Sequence, residues 1–236
     1  MEMILLSREQ SLRSKTDETG FTLVELLIAL VVSGLVMAAV VSVYTVQSRS
    51  YSERDDLANV QQDLRGVLTI LPMEIRLAGC DPLESHVPKI LTATSTNFRF
   101  TMDTKDVGSP RTNNPDRLVT GDEDIAYNFA AGVPPAAGVL GRQIDNAGGF
   151  QPLAANIEAM EFNYILADGT TSLAPSDPNK IRAVQVSILA RTVTRTQGFL
   201  NATPYRSASG AAWGPYNDNF RRRLVVTTIQ CRNMGL

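Results

Sequence analysis

Residues 21–43, FTLVELLIALVVSGLVMAAVVSV, carry one charged side chain in 23 positions. As a helix such a run rises roughly 35 Å, enough to cross a hydrocarbon core of about 30 Å. The run is longer than the apolar core of a removable secretory signal and passes no small-residue cleavage site or turn chemistry, so it reads as one retained membrane span. A buried helix of a soluble protein fits poorly, because a single domain of this size rarely encloses 23 almost unbroken apolar positions. Lys and Arg before the run are Arg8, Arg13 and Lys15. The long polar segment after it is of the kind translocated whatever its charge, so the N-terminus is expected in the cytoplasm.

The one charge is Glu25, and a carboxylate inside a span calls for a partner, costing about 2.5 to 3.5 kcal/mol at mid-membrane on insertion scales. The bland reading is a glutamate near the interface that reaches water. If the chain is cut after Gly20, the new α-amino group of Phe21 lies four residues before Glu25 on the same helical face. Amine and carboxylate can then pair, within one chain or between neighbours.

The segment GFTLVELLIAL, residues 20–30, resembles the prepilin cleavage and methylation motif of type IV pilins and of the related pseudopilins of type II secretion. The resemblance implies that a prepilin peptidase cuts between Gly20 and Phe21 and methylates the new amine of Phe21. It also implies that Glu25 neutralises the amine of an adjacent subunit as it docks into a filament. Asp17 and Glu18 are acidic where such leaders are usually basic. Further along, LPMEIRLAGCDP at 71–82, NIEAMEFNYILADG at 156–169, KIRAVQVSILART at 180–192 and RRRLVVTTIQCRNMG at 221–235 resemble the spaced motifs of PilW-type minor pilins. With the N-terminal motif these segments make up about a third of the chain.

After the span, Leu57, Val60, Leu64, Val67, Leu68, Leu71 and Ile75 recur at spacings of three and four, one apolar stripe that ends near Pro72 and Gly79. It is too short for an independent coiled coil and is expected to pack on the protein's own sheet. Beyond Cys80 the period changes to two: Phe98, Phe100 and Met102; Ile125, Tyr127 and Phe129; Met160, Phe162, Tyr164 and Leu166; Val184, Val186 and Ile188. These read as half-buried strands, the last two sets as a hairpin with a connection of about a dozen residues. Phe220 to Arg232 has apolar residues on both faces and reads as an inner strand. AGG at 147–149 reads as a turn, and 103–121 and 196–218 as surface loops, with Trp213 pinning the second to its own domain.

The expected fold is α+β and pilin-like: a long N-terminal helix, half membrane and half amphipathic, packed on an antiparallel sheet. The expected divisions are a leader at 1–20, a transmembrane and filament-core helix at 21–43, an amphipathic helix at 44–79 and a periplasmic β-rich head at 80–236.

Chemistry finds little purchase. A net charge of −2 from 22 basic and 24 acidic residues supplies no field to draw the chain onto nucleic acid. His86 is the only histidine, flanked by Ser85 and Pro88, and reads as an exposed structural residue rather than the base of a catalytic triad. GDED at 121–124, with Asp103 and Asp116, lacks EF-hand spacing and reads as a solvated turn rather than a calcium loop. No cofactor and no metal are expected. Two cysteines, Cys80 and Cys231, allow one disulfide if the head is periplasmic, against the alternative of two buried thiols.

The expected function is a non-enzymatic minor pilin that takes part in initiating or assembling a type IV pilus. Its expected partners are a prepilin peptidase, other minor and major pilins, and an inner-membrane assembly platform. A type II secretion pseudopilin shares every early motif, and a membrane-anchored periplasmic enzyme is the rival of another class.

Overall fold

A computed structural model describes residues 20–84, 89–104, 115, 117–132 and 137–235. The chain divides into two compact units, residues 1–50 and 51–236. Helix α1, Leu23–Ile75, begins in the first and ends in the second.

In the second unit the apolar stripe is realised as spaced: Val60, Leu64, Val67, Leu71 and Ile75 are buried, and Leu57 and Leu68 are half-buried. Pro72 does not stop the helix, which runs one further turn to Ile75. The proline removes only its own N–H, and the burial of Leu71 and Ile75 around it outweighs that lost bond. The helix then tightens, with Leu77 N–H donating to Glu74 O at 2.9 Å and Ala78 N–H to Ile75 O at 3.1 Å. Gly79 follows at φ +73°, its N–H given to Thr101 O, and a Cβ there would lie 2.7 Å from Met234 Sδ. Only glycine meets both demands without strain.

The sheet runs in the order β1 (Ile90–Ala93), β2 (Asn97–Thr101), β3 (Asp124–Ala130), β4 (Gly138–Ile144), β5 (Ala147–Leu166), β7 (Ile181–Arg191), β10 (Arg222–Gln230). The two-residue strand β6 (Thr171–Ser172) pairs back onto β5 inside the β5–β7 connection. Every pairing is antiparallel. The alternating residues face α1's stripe: Phe98, Phe100, Tyr127, Phe162 and Tyr164 are fully buried, with Phe98 central at ring distances of 5.2, 5.9 and 5.5 Å from Phe100, Phe162 and Tyr164. Edge and offset contacts between such rings add to their area of burial. Together with the helix they form one core, and the expected α+β, pilin-like arrangement of a long helix on an antiparallel sheet is the one observed.

Two local expectations are overturned. Ala147–Gly149 is not the turn: Asp145 and Asn146, at φ 54° and 49°, form the two-residue hairpin that pairs Ile144 with Ala147. Gly148 and Gly149, at φ 69° and 73°, irregularise the start of β5. Phe220 to Arg232 is not an inner strand, because β10 closes the sheet with β7 as its only strand partner among the described residues. Its two apolar faces have separate causes. Val225, Ile229 and Cys231 point into the core, while Leu224 and Val226 lie on the opposite face, where Val226 stays 47% exposed.

Residues 196–218 form a surface loop, and it is strapped down. Strands β8 (Tyr205–Arg206) and β9 (Ala212–Trp213) pair, with Tyr205 opposite Trp213. The loop is held to the sheet by Arg222, whose side chain is 1% exposed, stacks 3.9 Å from the Tyr216 ring centre and pairs with Asp218 at 2.6 Å and Glu158 at 3.0 Å. Arg191 stacks on Phe220 and Arg221 on Phe199, at 4.2 and 4.4 Å. A guanidinium gains from an aromatic face when both are partly desolvated, so each stack fastens loop to strand.

Candidate docking site at the N-terminal helix

Helix α1 starts through a reciprocal cap. Thr22 lies just outside it, and Glu25 is three residues on. Glu25 N–H donates to Thr22 Oγ1 at 3.2 Å, while Thr22 N–H and Oγ1–H donate to Glu25 Oε2 at 2.9 and 3.0 Å. This is the capping box, in which two otherwise orphaned N–H groups at a helix start are satisfied by the side chains of residues three apart. The pattern T-x-x-E is legible in TLVE, a signal of the helix start separate from the carboxylate's charge. A negative group in the first turn also suits the positive end of the helix dipole. Both bonds accepted by Glu25 go to Oε2, and Oε1 accepts none among the described residues.

Before the cap, Phe21 is 89% exposed, with Gly20 beside it also exposed. Within the first unit the apolar side chains from Leu23 to Val46 are all exposed. By length and composition α1 is apolar enough to cross a membrane, and none of its most apolar 18-residue window is buried inside this chain. Two of its hydroxyls are satisfied internally, Ser33 donating to Leu30 O at 3.1 Å and Thr45 to Ser42 O at 2.9 Å. Internal satisfaction lets such groups enter an apolar medium. A Cβ on Gly34 would meet nothing within 4 Å, so no contact inside this chain explains that glycine.

The other residues singled out by sequence lie in the second unit. Cys231 is buried in the core and Cys80 half-buried beside it, both present as thiols. Burial pushes the Cys231 pKa up to about 12. Burial, then the charges of Asp103 and Asp81, raise that of Cys80. Their chain segments pack together: Met234 meets Gly79, and Asn233 Nδ2 donates to Arg76 O at 3.1 Å.

GDED is not a solvated turn. Glu123 is 1% exposed and accepts from the N–H groups of Thr104 at 2.6 Å and Thr120 at 3.2 Å, while Asp124 pairs with Arg99 at 2.5 Å. Buried carboxylates need such partners, and these tie the β2–β3 connection to the sheet. Asp103 is also buried and accepts from Arg117 N–H at 3.0 Å. Among the described residues no group of three or more His, Cys, Asp or Glu is arranged to hold a metal ion. His86 and Asp116 lie outside the described residues.

Sequence reasoning did not reach the polar cluster under the last turns of α1. Glu74 accepts two bonds from Arg142 and one from Tyr127 Oη, linking α1 to β3 and β4. Burial and the neighbouring Glu74 charge raise the Tyr127 pKa far above the ordinary phenol value, keeping it a hydrogen-bond donor.

The prokaryotic N-terminal methylation motif matches residues 15–41, which contain the capped helix start. A type IV-like pilin from Thermus thermophilus has a solved structure similar to this one, at 15% identity and a TM-score of 0.47, over 75% of this chain and 98% of that one. No curated protein matches the chain. The family model described as type IV pilus-assembly protein W matches residues 92–233, from β1 through the residues that follow β10 and so well over half of the sequence. This chain belongs to the type IV pilus-assembly protein W family.

Proposed function

We propose that this protein is a minor pilin, a non-enzymatic subunit that enters a type IV pilus and takes part in its initiation or assembly. The observation that carries the reading is the pairing of a wholly unburied apolar stretch in the first half of α1 with one carboxylate at its capped start. In this reading a prepilin peptidase cuts between Gly20 and Phe21 and methylates the Phe21 amine. The helix holds the subunit in the inner membrane, N-terminus cytoplasmic and head periplasmic, until an assembly platform extracts it. Apolar helices then bundle in the fibre core, and Glu25 meets the amine of a neighbouring subunit.

The cap gives that docking a physical basis. Thr22 holds the carboxylate through Oε2 and leaves Oε1 to accept from an incoming ammonium. In a medium of low dielectric such a charge pair is stronger than in water, and a misplaced neighbour leaves Glu25 unpaired. Register is therefore selected by electrostatics, while bundling supplies the bulk of the attachment. Gly34 lets another helix approach closely at one point.

The test is Glu25→Ala in the native host. The head should fold and the chain should remain in the membrane fraction, while the amount recovered in sheared fibres falls. Wild-type incorporation and piliation with Glu25→Ala would contradict the docking role.

A further inference from the structure

The two ends of the sheet differ. β1 is four residues long and its register with β2 shifts between Ile90 and Thr92. β10 is nine residues long and keeps unbroken register with β7. Exposed sheet edges invite pairing and are normally blunted by shortness, bulges, proline or inward charge. β1 has two of these protections, whereas β10 has no proline and no bulge.

The hydrogen-bond phase identifies the free groups. Arg221 O accepts from Thr192 N–H at 2.9 Å and Cys231 N–H donates to Arg182 O at 2.9 Å, so odd-numbered residues face β7. In an antiparallel ladder a residue's N–H and C=O point the same way. The main-chain groups of Leu224, Val226, Thr228 and Gln230 therefore point off the sheet. Beside this edge runs a groove of about 590 Å³ between the last turns of α1 and β10, with exposed Met73 and Leu77 for apolar contact and Arg76 and Arg232 along it. Arg223 stands at the other end of the strand. Arg76, Arg223 and Arg232 make no ion pair among the described residues, unlike Arg222, which is consumed by Asp218 and Glu158.

We propose that the free edge of β10 is a β-augmentation site for an extended segment of another polypeptide whose side chains alternate between apolar and carboxylate. Main-chain bonds to Leu224, Val226, Thr228 and Gln230 supply the attachment, apolar side chains enter the groove over Met73, and carboxylates meet the three unpaired arginines. A second copy of this chain does not fit. Two β10 strands paired antiparallel about Val226 set Arg221–Arg223 of each opposite Ile229–Cys231 of the other and Arg232 opposite Phe220, one position from Arg221, so like charges gather at both ends.

The inference stands apart from docking at Glu25, and the Glu25→Ala chain should show it undiminished. The test uses the full chain in detergent micelles and a fluorescently labelled nine-residue peptide alternating valine and glutamate, read by anisotropy. The controls are a matched valine–lysine peptide and a valine–glutamate peptide N-methylated at alternate residues. The acidic peptide should bind, and both controls should bind at least about tenfold more weakly. Val226→Pro and Thr228→Pro each delete an outward N–H without touching the ladder to β7, and should weaken binding about tenfold with an unchanged circular dichroism spectrum. Equal binding of the lysine peptide, equal binding of the N-methylated peptide, or a dimer in sedimentation that Val226→Pro dissolves would each overturn the proposal. The peptide controls decide the matter even if a proline variant fails to fold.

Discussion

Arg142 holds Glu74 by two parallel hydrogen bonds, Nε to Oε2 at 3.0 Å and Nη2 to Oε1 at 2.6 Å, with the two side chains 22% and 12% exposed. This fork fixes the last turns of α1 against β4 and seats Glu74 beside Tyr127. Removing Glu74 leaves Arg142 largely desolvated without its carboxylate, and removing Arg142 leaves the Glu74 charge with only the Tyr127 hydroxyl. Arg142→Ala and Glu74→Ala should each destabilise the head by about 2 to 3 kcal/mol, below the range for fully buried pairs. In a double-mutant cycle by denaturant unfolding, the second substitution should cost much less than the first. Additive losses would mean that the fork does not couple helix to sheet.

The sequence displayed much of this fold because burial imposes a period. Tyr127 and Phe98 alternate with polar neighbours, and Leu64, Leu71 and Ile75 recur on one helical face, so strand and helix were both readable. Glu74 and Arg142 were not, because 68 residues separate them and no local pattern marks a pair made by folding. The edge position of β10 is hidden for a related reason: apolar residues on both faces resemble an inner strand, yet a neighbouring strand is a fact of topology. At the candidate docking site the residue types were legible, and even the cap was written in TLVE. The arginine stacks that strap residues 196–218 carry no periodic signal.

We propose that Cys80 and Cys231 are bridged once the head reaches an oxidising compartment. The closed loop spans most of the head, and the chain-entropy model assigns such a loop about 4 to 5 kcal/mol. Protein purified without reductant should be two hydrogens lighter than its reduced form, and two free thiols would end the idea. In the reduced protein, burial favours the neutral form of Cys231 by raising its pKa from 9.0 to about 12. Its contribution to stability is thus present below pH 9 and lost as pH rises from there to about 12, a loss the bridged form should not show at this residue.

Asp218 titrates in the opposite sense. Hydrogen bonds from Arg222 hold its pKa below the usual carboxylate range. A depressed folded-state pKa gives stability that is present above the ordinary value and lost as pH falls through the folded one. Denaturant midpoints should be flat near neutral pH and fall in acid, and Asp218→Asn should reduce that fall. An unchanged acid slope in Asp218→Asn would remove the strap from the account.

Glu25 has two duties that substitution can separate. Glutamine can still accept from Thr22 and close the cap, but carries no charge for a neighbour's amine. Thr22→Ala abolishes the reciprocal cap and keeps the charge, with a helix cost of about 1 kcal/mol. Glu25→Gln should therefore impair fibre incorporation as strongly as Glu25→Ala, while Thr22→Ala should retain most of it. The reverse ranking would assign Glu25 to capping alone.

Every step of the docking account needs a free amine at residue 21. Intact mass and N-terminal sequencing of the protein extracted from host membranes and fibres measure it directly. The account predicts a chain that begins at an N-methylated Phe21, and a mature chain that still carries Gly20 and the residues before it would contradict it.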